Sequence, residues 1–64
     1  MKQKYAGGDK VKFTEKKGGY SDIKDTGVVT EILSDNLVEC EVTYSYGFKR
    51  KLSFFLAEIA GKID

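Results

Sequence analysis

The chain has 64 residues, 41% of them hydrophobic and 33% charged, with a formal net charge of +1. This composition is that of a folded domain and the length fits one domain at most, so the stretch is neither disordered nor multidomain. The charge lacks the strong basic excess typical of dedicated nucleic-acid-binding domains. A single cysteine and no histidine exclude an internal disulfide and the usual zinc sites, and we expect no metal and no cofactor.

The first residues and the small size set two further expectations. Residues 1–4 are not followed by an apolar run, so we expect no signal peptide, no membrane contact and a cytoplasmic location. A domain of this length buries only about 60% of the surface that its unfolded chain exposes. We therefore expect close packing or self-association to support it.

The chain begins with a short polar stretch before its first strand. We expect residues 1–7 to form a flexible lead and residues 8–64 to form a single small domain. The first strand covers residues 8–13. Its alternation places Val11 and Phe13 on the core face.

A long irregular loop follows over residues 14–26. Glycine, serine and aspartate in this segment are typical of turns. Tyr20 and Ile23 are its apolar residues. Because a loop this long needs anchoring in so small a domain, we expect both side chains to fold back over an open end of the core.

Two strands come next, joined by a tight turn. The second covers residues 27–33, where Val29 and Ile32 cannot both face the core unless the strand contains a bulge. The third covers residues 37–44 and alternates cleanly. Its core face carries Val38, Cys40, Val42 and Tyr44, and its other face carries Glu39, Glu41 and Thr43.

Residues 43–55, TYSYGFKRKLSFF, predict a hairpin and a fourth strand. Residues 45–47 fit a three-residue loop in which Gly47 adopts the left-handed conformation. This loop sets Tyr44 opposite Phe48. The register that follows pairs Thr43 with Lys49, Val42 with Arg50, Glu41 with Lys51, Cys40 with Leu52, and Val38 with Phe54. The Glu41–Lys51 pair would contribute about 0.2–1 kcal/mol.

The last segment has two interpretations. Residues 55–63 fit a short 3-10 turn followed by a closing strand. Alternatively, apolar residues at helical spacing over 53–63 fit a helix that Ser53 caps and Gly61 ends. We favour the turn and strand.

Turn glycines and core valines over residues 8–42 carry a resemblance. Together with Asp9, Lys10 and Ile32, these residues are Gly8, Val11, Gly27, Val28, Val29, Val38 and Val42. The pattern resembles the KOW motif of ribosomal and transcription-elongation proteins, SH3-like small barrels that bind RNA or other proteins. The resemblance implies an all-β, SH3-like small barrel of about five strands, with a long first loop and a short 3-10 turn near the C-terminus. Where KOW motifs often carry a basic residue two positions before the second glycine, this chain has Asp25.

A weaker resemblance involves the two ends of the domain. The stretches GDKV at residues 8–11 and LAEI at residues 56–59 look like those of the type II dihydrofolate reductases, which are also SH3-like. In those enzymes a Val-Gln-Ile-Tyr stretch lines the pore of a tetramer. The matching residues 50–53 read RKLS here, without the glutamine and the tyrosine. This resemblance therefore implies the fold and not the activity.

Catalytic residue types are sparse. No histidine is present for acid–base chemistry near neutral pH. Cys40 lies on the predicted core face, whereas a reactive cysteine needs a partly exposed, electropositive site. We interpret Glu39 and Glu41 as a solvated strand face. We therefore predict that the protein is not an enzyme and has no catalytic residues.

The hairpin and the long loop supply the candidate ligand contacts. Exposed aromatic rings can stack on unpaired bases while Lys and Arg contact phosphates. The alternative is that Tyr44 and Phe48 form a core pair and that Lys49 and Lys51 solubilise an exposed face. The candidate ligand-binding residues are Lys16, Lys17, Tyr20, Tyr46, Lys49, Arg50 and Lys51.

Arg50 stands out because the register points it to the same face as Val42 and Leu52. A buried unpaired charge would be strongly unfavourable. We expect Arg50 at the rim of the barrel with its guanidinium in water. The alternatives are a pair with Asp22 or Asp25, or contact with a partner.

Two functions fit these features. The near-zero net charge and the small core favour a non-catalytic binding module that mediates protein interaction or self-assembly. The aromatic and basic hairpin of residues 44–51 favours the alternative, an accessory protein that binds RNA or single-stranded nucleic acid. Small barrels host both roles.

Overall fold

The computed structural model describes residues 4–63, which form five antiparallel strands and two 3-10 turns. The strands are β1 (Lys10–Phe13), β2 (Ile23–Ser34), β3 (Leu37–Tyr44), β4 (Lys49–Phe55) and β5 (Ile59–Ile63). The first 3-10 turn (Lys17–Gly19) lies between β1 and β2, and the second (Leu56–Glu58) lies between β4 and β5. None of the residues from 4 to 63 is α-helical.

All five strands belong to one sheet in the order β4-β3-β2-β1-β5. Each neighbouring pair is antiparallel, and β4 and β5 lie at the two edges without pairing to each other. The predicted all-β class of about five strands is confirmed, as are the long first connection and the 3-10 turn near the C-terminus. The helical alternative for residues 53–63 is wrong, because β5 pairs with β1 and buries Ile59 beside Phe13.

Strand β2 is longer and more irregular than predicted. It starts at Ile23, which pairs with Tyr44, so the predicted loop of residues 14–26 ends earlier. Its pairing with β3 shifts register at three places, one of them between Val29 and Glu31. The strand thus contains an irregularity between Val29 and Ile32, but only Val29 is buried, and Ile32 stays 36% exposed at the far end of the strand. Bulges increase strand twist, which lets a single sheet curl around its own core.

The core consists of apolar side chains on the inner face of this curled sheet. Phe13 and Phe54 stack at its centre, with ring centroids 4.4 Å apart. Tyr20 packs against Phe54 in a T-shaped contact with ring centroids 5.7 Å apart, and Ile23 is buried, so the predicted return of both residues onto the core is confirmed. The buried residues are Tyr5, Val11, Phe13, Ile23, Val29, Val38, Cys40, Val42, Leu52, Phe54 and Ile59.

Tyr5 belongs to this core although sequence places it in the predicted lead of residues 1–7. Its side chain is only 6% exposed. The chain around it is held by the backbone N–H of Gly8, which donates to the carbonyl of Val29 over 2.7 Å, and by Asp9, whose carboxylate accepts from the N–H of Ala6 over 2.9 Å. Residues 1–3 of the predicted lead lie outside the described residues. The lead's flexibility stays a prediction.

The second 3-10 turn is fastened at both ends by hydrogen bonds. The N–H of Leu56 donates to the carbonyl of Asn36 over 2.9 Å, and the N–H of Thr14 donates to the carbonyl of Glu58 over 3.0 Å. The side chain of Glu58 also accepts from the N–H of Phe55 over 3.1 Å. These hydrogen bonds stabilise the connection between the two edge strands, β4 and β5.

Candidate functional site: the aromatic hairpin

The β3–β4 hairpin has the predicted three-residue loop. The N–H of Gly47 donates to the carbonyl of Tyr44 over 2.9 Å, and the N–H of Tyr44 donates to the carbonyl of Phe48 over 2.7 Å. Gly47 has φ of 93°, a left-handed conformation that only glycine adopts without strain. The loop thus fixes which side chains of the two strands face each other.

The predicted register is confirmed at every pair from Thr43–Lys49 to Val38–Phe54. Glu41 lies opposite Lys51 as expected. Their charged ends, however, form no ion pair within 4.0 Å among the described residues. The register is therefore set by the loop and by the apolar face rather than by this charge pair.

The tip of the hairpin is tied to the long first loop. The N–H of Ser45 donates to the carbonyl of Asp22 over 2.8 Å. Nearby, the ammonium of Lys17 lies 2.9 Å from the carboxylate of Asp25 and 3.1 Å from the carbonyl of Ile23. The hydrogen bond from Lys17 and its charge lower the pKa of Asp25. Because Lys17 has φ of 46°, unusual for a residue with a side chain, these contacts hold a strained turn in place.

Three aromatic rings cluster at the tip, and we call Tyr44, Tyr46 and Phe48 the aromatic platform. Their centroids are 5.4, 5.9 and 6.4 Å apart and their planes agree within 25°. Each pair is stacked, and the nearly equal separations place the three centroids at the corners of a triangle rather than along one column. Tyr44 packs against the core. Tyr46 is 72% exposed and Phe48 56% exposed, which leaves much of the platform in contact with solvent.

The three cations after the platform divide between two faces of β4. Arg50 lies opposite the buried Val42, on the same side as Tyr44 and Phe48, and its predicted exposure is confirmed. Lys49 and Lys51 lie on the other face, and both are exposed. The alternative pairing of Arg50 with Asp25 is wrong, because Asp25 is bound to Lys17. Arg50 forms no ion pair among the described residues.

The remaining candidate ligand contacts differ in their availability. Lys16 is exposed. Lys17 is half-buried and already bound to Asp25, and Tyr20 is half-buried against Phe54. Tyr46 and Arg50 are thus both exposed, while Lys17 and Tyr20 stabilise the first loop.

Cys40 is fully buried, so its predicted place in the core is confirmed. Burial, followed by the charge of Glu39, raises the pKa of its thiol to about 11. A thiol with this pKa holds almost no thiolate at neutral pH and is a poor nucleophile.

A shallow groove of about 260 Å³ lies on the outer face of the sheet. Its lining comes from all five strands and includes Lys10, Val28, Glu41, Lys49 and Ile63. Sequence reasoning missed it because these residues become neighbours only through the order of the strands in the sheet. The alternating outward-facing positions of β1 and β3 were the signal that could have indicated it.

Other kinds of site have no support in the part of the chain that the structure describes. No group of three or more His, Cys, Asp or Glu side chains within residues 4–63 is placed to hold a metal ion. No helix among these residues is long and apolar enough to cross a membrane. Comparison with known proteins gives no match to a protein-family model, to a curated protein or to a solved structure.

Proposed function

We propose that this protein is a small non-catalytic binding module that engages a protein partner through the aromatic platform. The observation that carries the proposal is the exposure of two platform rings, Tyr46 and Phe48, on a hairpin tip that is fastened to the neighbouring loop. Large exposed apolar groups that cluster on a small domain indicate an interaction surface.

The chemistry of this surface suits a protein partner. Tyrosine and arginine are enriched among the residues that dominate binding energy at protein interfaces. Tyr46 stacks on Tyr44 and Phe48, which share their side of the hairpin with Arg50, whereas Lys49 and Lys51 face away. The platform side therefore carries a modest charge beside a large apolar area, as the centres of protein interfaces do.

The fold-level resemblances fit this proposal. The long first connection and the 3-10 turn before the last strand support a likeness to SH3-like small barrels. The KOW resemblance weighs less for RNA, because the position that is often basic is Asp25, which forms an ion pair with Lys17. A reductase activity of the type II dihydrofolate reductases is not proposed, since residues 50–53 lack the matching side chains.

A second candidate function is binding of single-stranded nucleic acid. The near-parallel rings of the platform favour it, because bases stack on such surfaces whatever their sequence. Arg50 on the same side could contact a phosphate. The small net charge of +1 and the placement of Lys49 and Lys51 on the opposite face make it the weaker candidate.

Affinity capture with matched variants tests the proposal. The immobilised protein, a Tyr46→Ser/Phe48→Ser variant and a Phe55→Ser control are each exposed to an extract of the cells that make the protein. Phe55 is 55% exposed, close to the value for Phe48, but lies at the opposite end of β4. We expect a partner that the native protein and the control retain and the platform variant loses. Equal retention by all three would contradict the proposal.

Fluorescence anisotropy with labelled single-stranded DNA, single-stranded RNA and duplex DNA tests the second candidate at low and moderate salt. Single-strand binding that the platform variant loses would favour nucleic acid. Binding that persists in the variant and vanishes with salt would show only general charge attraction.

A further inference from the structure

Strand β4 is an edge of the sheet with one side unpaired. It pairs with β3 alone. Only Leu52 and Phe54 of its seven residues are buried, and the other five are exposed. Such an edge can accept a further strand, because its free backbone groups continue the hydrogen-bonding pattern of the sheet.

The hairpin geometry indicates which backbone groups of β4 are free. Tyr44 and Phe48 form a hydrogen-bonded pair. In an antiparallel ladder such pairs alternate with pairs that are not hydrogen-bonded. Arg50, Leu52 and Phe54 therefore bond to β3, and the N–H and C=O groups of Lys49, Lys51 and Ser53 point to the open side.

Phe55 is the next residue of β4 whose backbone groups should point away from β3, and its hydrogen bonding supports this assignment. Its N–H is bound by the carboxylate of Glu58 and not by β3. Glu58 thus closes the C-terminal end of the edge. No backbone hydrogen bond joins residues 14–22 to β4 within the described part of the chain, although the first 3-10 turn lies close to it. The free groups form a window from Lys49 to Ser53.

The charges beside this window determine its occupant. Lys49, Arg50 and Lys51 are all exposed, and none of them forms an ion pair among the described residues. An added strand would place every second side chain beside Lys49 and Lys51 on the outer face. Acidic residues at those positions would form favourable cross-strand pairs. Pairing of β4 with β4 of a second copy is disfavoured, since it brings two sets of three cations together.

We propose that the open edge of β4 binds an extended acidic segment of another protein as an added strand, with an acidic residue at every second position. The free backbone groups and the two lysines of the window are distinct from the three rings of the aromatic platform, so the two proposals can fail independently. Main-chain hydrogen bonds to Lys49, Lys51 and Ser53 provide affinity, and the two lysines select the acidic sequence.

A labelled peptide of about ten residues that alternates glutamate and threonine is the probe. One control peptide carries lysine in place of each glutamate. A second is N-methylated at each glutamate, which keeps the charge and removes the backbone donors that would face β4. Binding is measured by anisotropy, and amide hydrogen exchange of the native protein is measured with and without the glutamate peptide.

We expect the glutamate peptide to bind and to slow exchange at Lys49, Lys51 and Ser53. A Lys49→Glu/Lys51→Glu variant should bind it about tenfold more weakly. Lys12→Glu/Lys24→Glu, the same charge change on exposed lysines of β1 and β2, should leave binding nearly unchanged. A Tyr46→Ser variant should also bind normally.

Three results would overturn the proposal. The first is no binding of the glutamate peptide. The second is equal binding of the N-methylated peptide, which would mean attraction by charge without strand addition. The third is peptide binding without slowed exchange at the three amides, a measurement that needs no variant and so does not depend on variant folding.

Discussion

The ring of Phe13 packs against the backbone of Gly27. A Cβ added to Gly27 would stand 2.8 Å from Cζ of Phe13 and 2.9 Å from the carbonyl oxygen of Glu41. Because Phe13 also stacks on Phe54, its ring has little room to retreat. The absence of a side chain at Gly27 is therefore what lets the central aromatic pair approach the sheet.

Gly27→Ala should destabilise the fold by about 1–3 kcal/mol, as overpacking does in well-packed cores. The measurement is urea unfolding followed by circular dichroism. Gly61→Ala is the control, since nothing lies within 4 Å of a Cβ added there. We expect the control to be neutral or slightly more stable. Equal stability of Gly27→Ala and the native protein would refute this role of the glycine.

Tyr5→Ala should lower the free energy of unfolding by about 3 kcal/mol, because it removes a large buried side chain. Tyr46→Ala, which truncates an exposed ring, should cost less than about 1 kcal/mol. Both values come from the same urea titration. A loss at Tyr5 no larger than that at Tyr46 would mean that the N-terminal segment does not contribute to the core.

The pKa of Cys40, raised to about 11, predicts a loss of stability in alkaline solution. The folded state holds the thiol proton more tightly than the unfolded state, whose ordinary pKa is 9.0. The contribution is thus fully present below pH 9 and is lost as the pH rises toward 11, at no more than about 1.4 kcal/mol per pH unit. Urea unfolding at pH values from 8 to 11 should show a steeper fall in the free energy of unfolding for the native protein than for Cys40→Ala. The variant is the right control because its lysines and tyrosines titrate as they do in the native protein.

The lowered pKa of Asp25 depends on Lys17. In Lys17→Met, we expect the pKa of the Asp25 carboxyl, followed by NMR, to rise toward its ordinary value of 3.8. Since folding lowers this pKa, its small contribution to stability is present above that value and is lost as the pH falls. Lys16→Met, at an exposed neighbour, should leave the Asp25 pKa unchanged. An equal change in both variants would contradict the specific pair.

The hairpin could be predicted from sequence because its determinants are local. The glycine at position 47 fixes the loop length, and the alternation from Val38 to Phe54 then allows only one register. The burial of Cys40 follows from the same alternation. For residues 55–63 the sequence only favoured the 3-10 turn and closing strand, because the apolar spacing there also fits a helix; the pairing of β5 with β1 decides between the two.

Features that depend on distant parts of the chain were not predictable. Tyr5 is buried only because the N-terminal segment is bound to β2 through the carbonyl of Val29. Asp25 is used by Lys17 rather than by Arg50 because the first 3-10 turn brings Lys17 beside it. The division of Lys49, Arg50 and Lys51 between two faces follows from strand alternation. Their exposure depends on the place of β4 at the edge of the sheet, which the sequence does not reveal.

The binding role of the aromatic platform is tested most directly by the dissociation constant of the captured partner, measured with four proteins. These are the native protein, Tyr46→Ser, Phe48→Ser and Phe55→Ser, each first shown to be folded. Our account predicts that each platform substitution weakens binding by about tenfold or more and that Phe55→Ser leaves it unchanged. Unchanged affinity in both platform variants, or a larger loss in Phe55→Ser, would contradict it.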